Sequence, residues 1–361
     1  YAWAEPKGDT LAFVYGDDWN DTFLMWSPDN GNTWNKQMIV ENFYKMEPSG
    51  NVTPNFPTCD GTVAAAIDHD GVVHVAFGRM RAKGDADGRK YYPWTDGLVY
   101  WNSTMPVIDT TILTDINMLF DEGLLIGYVV DPGTGDTLIN FPKYYTSLSA
   151  FPQIVIDESN NIFFFWSGVT VGNPSPDGYN YRHIWARPWF HDHAEWSEMV
   201  DLNESILYMF MEFAYPAIAQ QVKNGEKILL LTQTSSQPGS NIKDTTIPIH
   251  DVNFEYREVE ITEMIPVGIP GAAAASRNAV SANYPNPAND VTTFNVSVGR
   301  TANVTINVAN LMGQNVMSID KGMVNAGTYA YTLRVNELNS GIYFITVKIG
   351  SETFTQKMIV K

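Results

Sequence analysis

The sequence has little to cross-link it, little positive charge and nothing to anchor it in a bilayer. A single cysteine, Cys59, among 361 residues excludes an internal disulfide, so stability rests on buried surface. Lys+Arg number 22 against 40 Asp+Glu, a net charge of -18, which lacks the basic footprint of nucleic-acid and anionic-lipid binders. No apolar run approaches the ~20 residues that a membrane-spanning helix needs. Common catalytic signatures are missing too: there is no Gly-x-Ser-x-Gly, phosphate-binding loop or HExxH. The chain does hold 27 Gly, 20 Pro and 13% aromatics, a composition suited to many short strands joined by turns.

The acidity is uneven. From residue 280 onward six Lys/Arg stand against four Asp/Glu, which leaves sixteen against thirty-six before it, or +2 against −20. All 10 Trp lie between Trp3 and Trp196. Between the halves runs a stretch of Ala, Gly, Pro and Ser with few large apolar groups, read as a linker over 266–283. The expected division is a propeller-like domain over 1–265, the linker, and a small domain over 284–361. Tyr1 is followed at once by strand-like sequence with no leader pattern, so either a signal peptide was removed or blades of a longer wheel precede it. The repeats favour the second.

Three segments of the first half share one pattern: Ala64–Asp68 with a turn at His69-Asp70-Gly71, 151–168 with a turn at Asn160-Asn161, and 215–233 with a turn at Asn224-Gly225. Each reads as an apolar strand, a tight turn supplying φ > 0, and a second apolar strand. Residues 6–16 look like half of a fourth copy. Units of this size suit propeller blades. The fold class expected is therefore all-β, a β-propeller-like repeat domain, N-terminally incomplete if the wheel is larger, followed by a small Ig-like β-sandwich. Ser27, Asp29, Gly31 and Trp34, spaced S-x-D-x-G-x-x-W, resemble the Asp-box hairpin of sialidase-like and related β-propellers. The Asp would bond the amides of its own turn while the Trp packs beneath. Residues 187–202 align on Trp196 as a decayed copy, with His191 at the position of Asp29.

In the tail, alternating runs at 291–298, 302–309, 329–335, 341–349 and 353–360 have the period of strands in a small antiparallel sandwich. Its landmarks are Tyr284-Pro285-Asn286-Pro287, Asn310-Leu311-Met312-Gly313-Gln314, Gly327, Leu338-Asn339-Ser340-Gly341-Ile342-Tyr343 and a closing Lys357-Met358-Ile359-Val360-Lys361. In that order they resemble the type A C-terminal sorting domain of the type IX secretion system of Bacteroidota. The resemblance implies export through the periplasm and outer membrane of a Gram-negative bacterium. It implies as partners the type IX translocon and an outer-membrane barrel shuttle, and a secreted or cell-surface destination.

Candidate chemistry in the first half is thin. A sialidase-like site needs three arginines on a carboxylate, a Tyr nucleophile and paired acids. None of Arg79, Arg81, Arg89, Arg182, Arg187, Arg257 and Arg277 sits in that family's Arg-Ile-Pro context, and they read as surface or blade-edge residues. His191-Asp192-His193 has two zinc-ligand types but no third and fourth ligand at metal spacing. His69 and His74 fall on a hairpin turn and its following strand. Asp85 and Asp87 are candidate Ca²⁺ ligands, the one cofactor the sequence suggests, although Arg89 and Lys90 stand where an EF-hand needs an oxygen ligand and glycine. Asp17, Asp18 and Asp21 form a second acidic cluster. Thr10, Thr110, Thr137 and Thr245, each after Asp, resemble the O-glycosylation sequon of bacteria using this secretion route. The functional expectation is an exported protein whose propeller module binds a glycan or protein. The alternative is a secreted sialidase-like glycoside hydrolase with part of its site outside this chain.

Overall fold

The computed structural model describes all residues except 130–139, 172–173, 192–194, 206, 243–244, 265–278, 282, 299–301, 312, 326 and 351. Thr137, Asp192, His193 and most of the expected linker therefore lie outside the described residues. The chain forms two compact units, Tyr1–Ile265 and Pro266–Lys361.

The first unit is a series of antiparallel sheets. Sheet 1 runs β1 (Ala2–Trp3), β2 (Leu11–Tyr15), β3 (Thr22–Ser27) and β4 (Asn35–Val40). Sheet 2 holds β5 (Phe56–Ile67), β6 (Val73–Asp85), β7 (Gly88–Tyr91), β8 (Leu98–Asn102) and β9 (Leu125–Gly127). The six-residue helix α1 (Ile116–Asp121) precedes β9. Sheet 3 holds β10 (Ser149–Ile156), β11 (Ile162–Val169), β12 (Arg182–Phe190), β13 (Glu195–Trp196) and β14 (Val200–Asp201). Sheet 4 is β15 (Glu212–Ile218), β16 (Lys227–Ser235) and β17 (Asn253–Glu260).

The sheets stack face to face, as blades do, and strand period explains how. On β6, Val75 and Phe77 join Val14, Leu24 and Ile39 of sheet 1 in one core, whereas Ala76 joins Ile154, Phe164 and Trp166 of sheet 3 in another. On β11, Phe164 and Trp166 face sheet 2, and Phe163 and Phe165 face Phe213, Ile228 and Leu230 of sheet 4. A strand buried on both faces must be apolar throughout, and β11 is buried at all eight positions. Each such Phe contributes about 1.5–3 kcal/mol. Sheet 1 leaves its other face to Trp3, Phe13 and Trp34, whose rings lie 4.8–6.1 Å apart.

Turns tie neighbouring sheets. Asp68 Oδ1 accepts from Asp70 N–H and Val72 N–H, and Asp157 Oδ1 accepts from Ser159 N–H and Asn161 N–H in the matching turn of sheet 3. Between these turns, His69 N–H donates to Asn160 Oδ1 at 2.9 Å. His74 lies on the strand that follows the turn, as its sequence position implies. It is buried, with Nε2 3.1 Å from Asp68 Oδ2 and Nδ1 2.8 Å from Tyr100 Oη.

The second unit is a two-sheet sandwich. One sheet orders β18 (Ala279–Val280), β19 (Val291–Val298) and β22 (Gly327–Arg334); the other orders β21 (Asn315–Val324), β20 (Ala302–Asn310), β23 (Gly341–Ile349) and β24 (Glu352–Val360). Phe294, Val296 and Leu333 of the first meet Val304, Ile306, Ile345, Val347 and Met358 of the second in one core. β21 was not among the strands read from the sequence.

Candidate functional site

The first strands of sheets 2, 3 and 4 each slip register: between Cys59 and Val63, between Ala150 and Gln153, and between Ala214 and Ala217. At each bulge one residue has positive φ: Gly61 (84°), Phe151 (57°) and Tyr215 (52°). Glycine takes this conformation without strain, but a bulky aromatic residue does not. Tyr145, also aromatic, has φ 59°. Among the described residues the remaining non-glycine cases are three turn asparagines and Met46. Strained aromatics thus gather at one end of sheets 3 and 4. Bulges and backbone strain concentrate where a side chain must be aimed.

Two of them are aimed at each other. The rings of Phe151 and Tyr215 lie 4.7 Å apart, and Tyr144 meets Phe151 at 6.4 Å and Tyr215 at 5.9 Å. Phe151 and Tyr215 are half-buried, Tyr144 is buried, and Tyr145 is 54% exposed. The result is an aromatic platform with one side in solvent.

Beneath it lies a charged floor bound into the framework, with Arg182 Nε alone among its charged atoms buried without a partner. Glu212 Oε1 accepts from Tyr144 Oη–H (2.6 Å) and Gly239 N–H (3.2 Å), and Oε2 accepts from Arg182 N–H (2.6 Å). The Arg182 guanidinium, buried 5.0 Å from the Tyr144 ring, donates to the carbonyls of Ser147, Leu148 and Ser167. Asp60 Oδ1 accepts from Thr62 N–H and Oγ1–H, and Oδ2 accepts from Ser147 N–H. Asp60 fits because Gly78 has no Cβ, which would stand 2.2 Å from Oδ2. Burial pushes both carboxyls above the usual range against the pull of these bonds. Burial likewise raises the phenols of Tyr144 and Tyr215 and lowers the Arg182 guanidinium.

The arginines correct the sequence reading. Arg79 and Arg182 are buried and Arg187 is half-buried, so none of the three is a surface residue. Each clips loops through carbonyls, Arg79 to Asp96 and Leu113, and Arg187 to Ser197, Leu125 and Ile126. They do not converge on a ligand carboxylate position. Burial lowers Arg79 to about 10.

The other candidate residues lie apart from the platform. In the Ser27–Trp34 hairpin, Asp29 Oδ1 accepts from Ser27 Oγ–H and Thr33 N–H, and Gly31 N–H donates to Ser27 Oγ. The Thr33 amide and hydroxyl hold the Asp29 carboxyl below the usual range. Trp34 Nε1–H donates to the Gly31 carbonyl of its own turn, and the ring also meets Phe13 on the open face of sheet 1. Asp85 and Asp87, at the β6–β7 turn, pair with Lys83 (3.3 Å) and Lys90 (2.9 Å). Among the described residues no group of three or more His, Cys, Asp or Glu would hold a metal ion. Asp17 accepts from Trp19 N–H and Asn20, whereas Asp21 pairs with Lys45. Arg187 stacks 5.6 Å from Trp196, and His191 is exposed. Thr10 and Thr110 are half-buried and Thr245 is exposed.

In the second unit, Tyr284 exchanges backbone bonds with Thr293, and Thr292 Oγ1–H donates to the Pro285 carbonyl. Asn286 reaches the other sheet: its Nδ2 donates to the Lys357 carbonyl and its Oδ1 accepts from Ile359 N–H. Ala288, after Pro287, bonds Ile359 and Lys361 through its backbone. Gly313, at φ 77°, turns the β20–β21 hairpin, where Gln314 N–H donates to Asn310 Oδ1. Gly327 opposes Val298, and Gly341 opposes Val360. Leu338 packs on the core, and Tyr343 Oη–H donates to the Asn339 carbonyl. The start of this domain is thus sewn to its last strand.

Residues 282–361 match the family described as the secretion system C-terminal sorting domain. This second unit therefore carries a type IX sorting signal, and the chain is exported by that route. No curated protein matches the chain significantly. Among solved structures the chain is similar to the polysaccharide lyase Uly1, at 8% identity over 99% of this chain and 80% of that one, with a TM-score of 0.34. It is also similar to dimeric latent PorU of Porphyromonas gingivalis, at 11% identity over 100% of this chain and 32% of that one, with a TM-score of 0.23. A third is PorZ, a surface component of the type-IX secretion system of the same organism, at 11% identity over 99% and 59%, with a TM-score of 0.18. The chain spans less than two thirds of PorU and PorZ, and likenesses at these scores carry no argument about activity. Among the described residues no helix is long and apolar enough to cross a membrane.

Proposed function

We propose that this is a secreted or cell-surface protein, delivered by its C-terminal sorting domain, whose sheet array binds a glycan on the Tyr144, Tyr145, Phe151 and Tyr215 platform. The single observation that carries the binding reading is the pairing of two bulky aromatic residues held in the left-handed region, Phe151 and Tyr215, with a third, the exposed Tyr145, next in the chain to their neighbour Tyr144. A fold tolerates about 1–3 kcal/mol of strain at each such position only where the surroundings enforce it. Aromatic faces are the natural partners of the apolar C–H faces of sugar rings, while hydroxyls stay in water.

Binding is favoured over hydrolysis by the state of the carboxyls. Asp60 and Glu212, the acids buried beneath the platform, spend their lone pairs on framework N–H and O–H donors. A glycosidase acid or nucleophile must instead face the scissile bond. Affinity electrophoresis in gels containing soluble neutral polysaccharides tests this. The protein should be retarded by at least one polymer, and Tyr145→Ala, at an exposed position, should run less retarded. Equal retardation of the two proteins, or hydrolysis of the polymer abolished by Glu212→Gln, would reject the reading.

A further inference from the structure

An exposed tryptophan stands on the loop between β7 and β8, which is bonded to the segment carrying the platform. Trp94 is 58% exposed, and its ring meets Tyr92 edge-on at 5.3 Å. The loop that presents it is rigid: Thr95 donates through both N–H and Oγ1–H to the Tyr92 carbonyl, and Tyr92 N–H donates to the Arg81 carbonyl. Asp96 fixes its far side, with Oδ1 accepting from Ser149 Oγ–H (3.0 Å), Oδ2 from Val129 N–H (2.7 Å), and its carbonyl from Arg79 Nε–H (2.6 Å). The loop is also bonded directly to the strand that carries the platform, because Leu148 N–H donates to the Thr95 carbonyl at 3.0 Å. Leu148 lies three residues from Tyr145 and three from Phe151, at most about 10 Å of chain in each direction. An exposed tryptophan on so firmly held a loop is wasted in a monomeric core and well placed for a ligand.

We infer that Trp94 with Tyr92 forms a second aromatic subsite continuing the platform, so that this face takes an extended, neutral polysaccharide chain rather than a single sugar. The inference rests on the glycan-binding reading of the platform. The neutral class follows from the charges of this unit. Arg79 and Arg182 donate to framework carbonyls, with Arg182 Nε left buried and unpartnered, Asp60, Asp96 and Glu212 spend their carboxylates on framework donors, and the −20 of the first 279 residues opposes a polyanion.

The test titrates the full chain and Trp94→Ala with size-graded neutral β-1,4-linked gluco- and xylo-oligosaccharides, from disaccharide to octasaccharide, and with an oligogalacturonate series. The native protein should bind the longer neutral chains more tightly than the short ones and should ignore the uronates. Trp94→Ala should lose about tenfold for the long chains only, and Trp94→Phe should restore most of it. An unchanged thermal midpoint separates this from misfolding. If Trp94→Ala keeps the same dependence on chain length, or weakens short and long chains equally, the second subsite is refuted while the platform stands. If no series binds the native protein, the platform reading falls and takes the subsite with it. Preference for the uronates would overturn the neutral class.

Discussion

Replacing Phe151 with glycine separates a functional aromatic from a structural one. At φ 57° the native backbone costs a residue with a Cβ about 1–2 kcal/mol, which glycine does not incur. Against that relief stand two ring contacts, with Tyr215 and Tyr144, each about 0.5–1.5 kcal/mol. The greater freedom of glycine in the unfolded chain costs a further ~0.5–1 kcal/mol. The losses exceed the relief only modestly, so Phe151→Gly should destabilise by about 1–2 kcal/mol, while polysaccharide retardation is lost. Phe151→Ala keeps the strain without the ring and should be the less stable of the two by about 1 kcal/mol. Urea unfolding of the three proteins reads the energies, and affinity electrophoresis reads the function. A loss of about 3–5 kcal/mol in the glycine variant is what a core phenylalanine gives. That result, or retained binding, would refute the claim that strain is held here to present the ring.

Further outcomes follow from the same geometry. Burial raises the Glu212 carboxyl, so the native state holds its proton to higher pH than the unfolded chain does; this group's contribution to stability falls as pH rises from its unfolded value of 4.5 toward its raised one. Glu212→Gln removes that slope, and the stability gap between native protein and variant should shrink with rising pH in denaturant melts; a gap independent of pH contradicts the shift. Gly78→Ala drives a Cβ to 2.2 Å from Asp60 Oδ2 and should destabilise by about 1–3 kcal/mol or more, measured by urea unfolding. Asn286→Ala removes both bonds to β24 and should lower the fraction of protein reaching the medium or cell surface, read by cell fractionation. Deleting 284–361 should hold the protein in the periplasm; surface display of that deletion would reject the sorting assignment.

Strand period made the sheets legible because β11 and the first half of β6 are largely apolar on both faces and their turns carry Asp, Asn or Gly. The strand β21 escaped because it lies at a sheet edge, with half-exposed and exposed positions alternating and no buried one. Asp320, Lys321 and Gly322 interrupt its apolar alternation, so the pattern does not register. The arginines misled because a guanidinium can be buried by bonding loop carbonyls from different sheets, contacts that no local motif encodes. The platform left one visible trace, the aromatic-Pro pairs Phe151-Pro152 and Tyr215-Pro216 at the same place in two repeats. Their positive φ, which aims the rings, comes from register slips set by neighbouring strands, so the pairs read as ordinary strand residues. The sorting domain was legible because its landmarks are turns and edge bonds within about 80 residues of one another, such as Asn310 with Gln314 and Asn286 with Ile359.

The most direct test is the structure of this protein grown with a neutral β-1,4-linked hexasaccharide that retards it in gels. Sugar rings should be found stacked on Phe151, Tyr215 and Tyr145, with the chain running on toward Trp94. Sugar bound on the open aromatic face of sheet 1, at Trp3 and Trp34, with the platform bare, would contradict it.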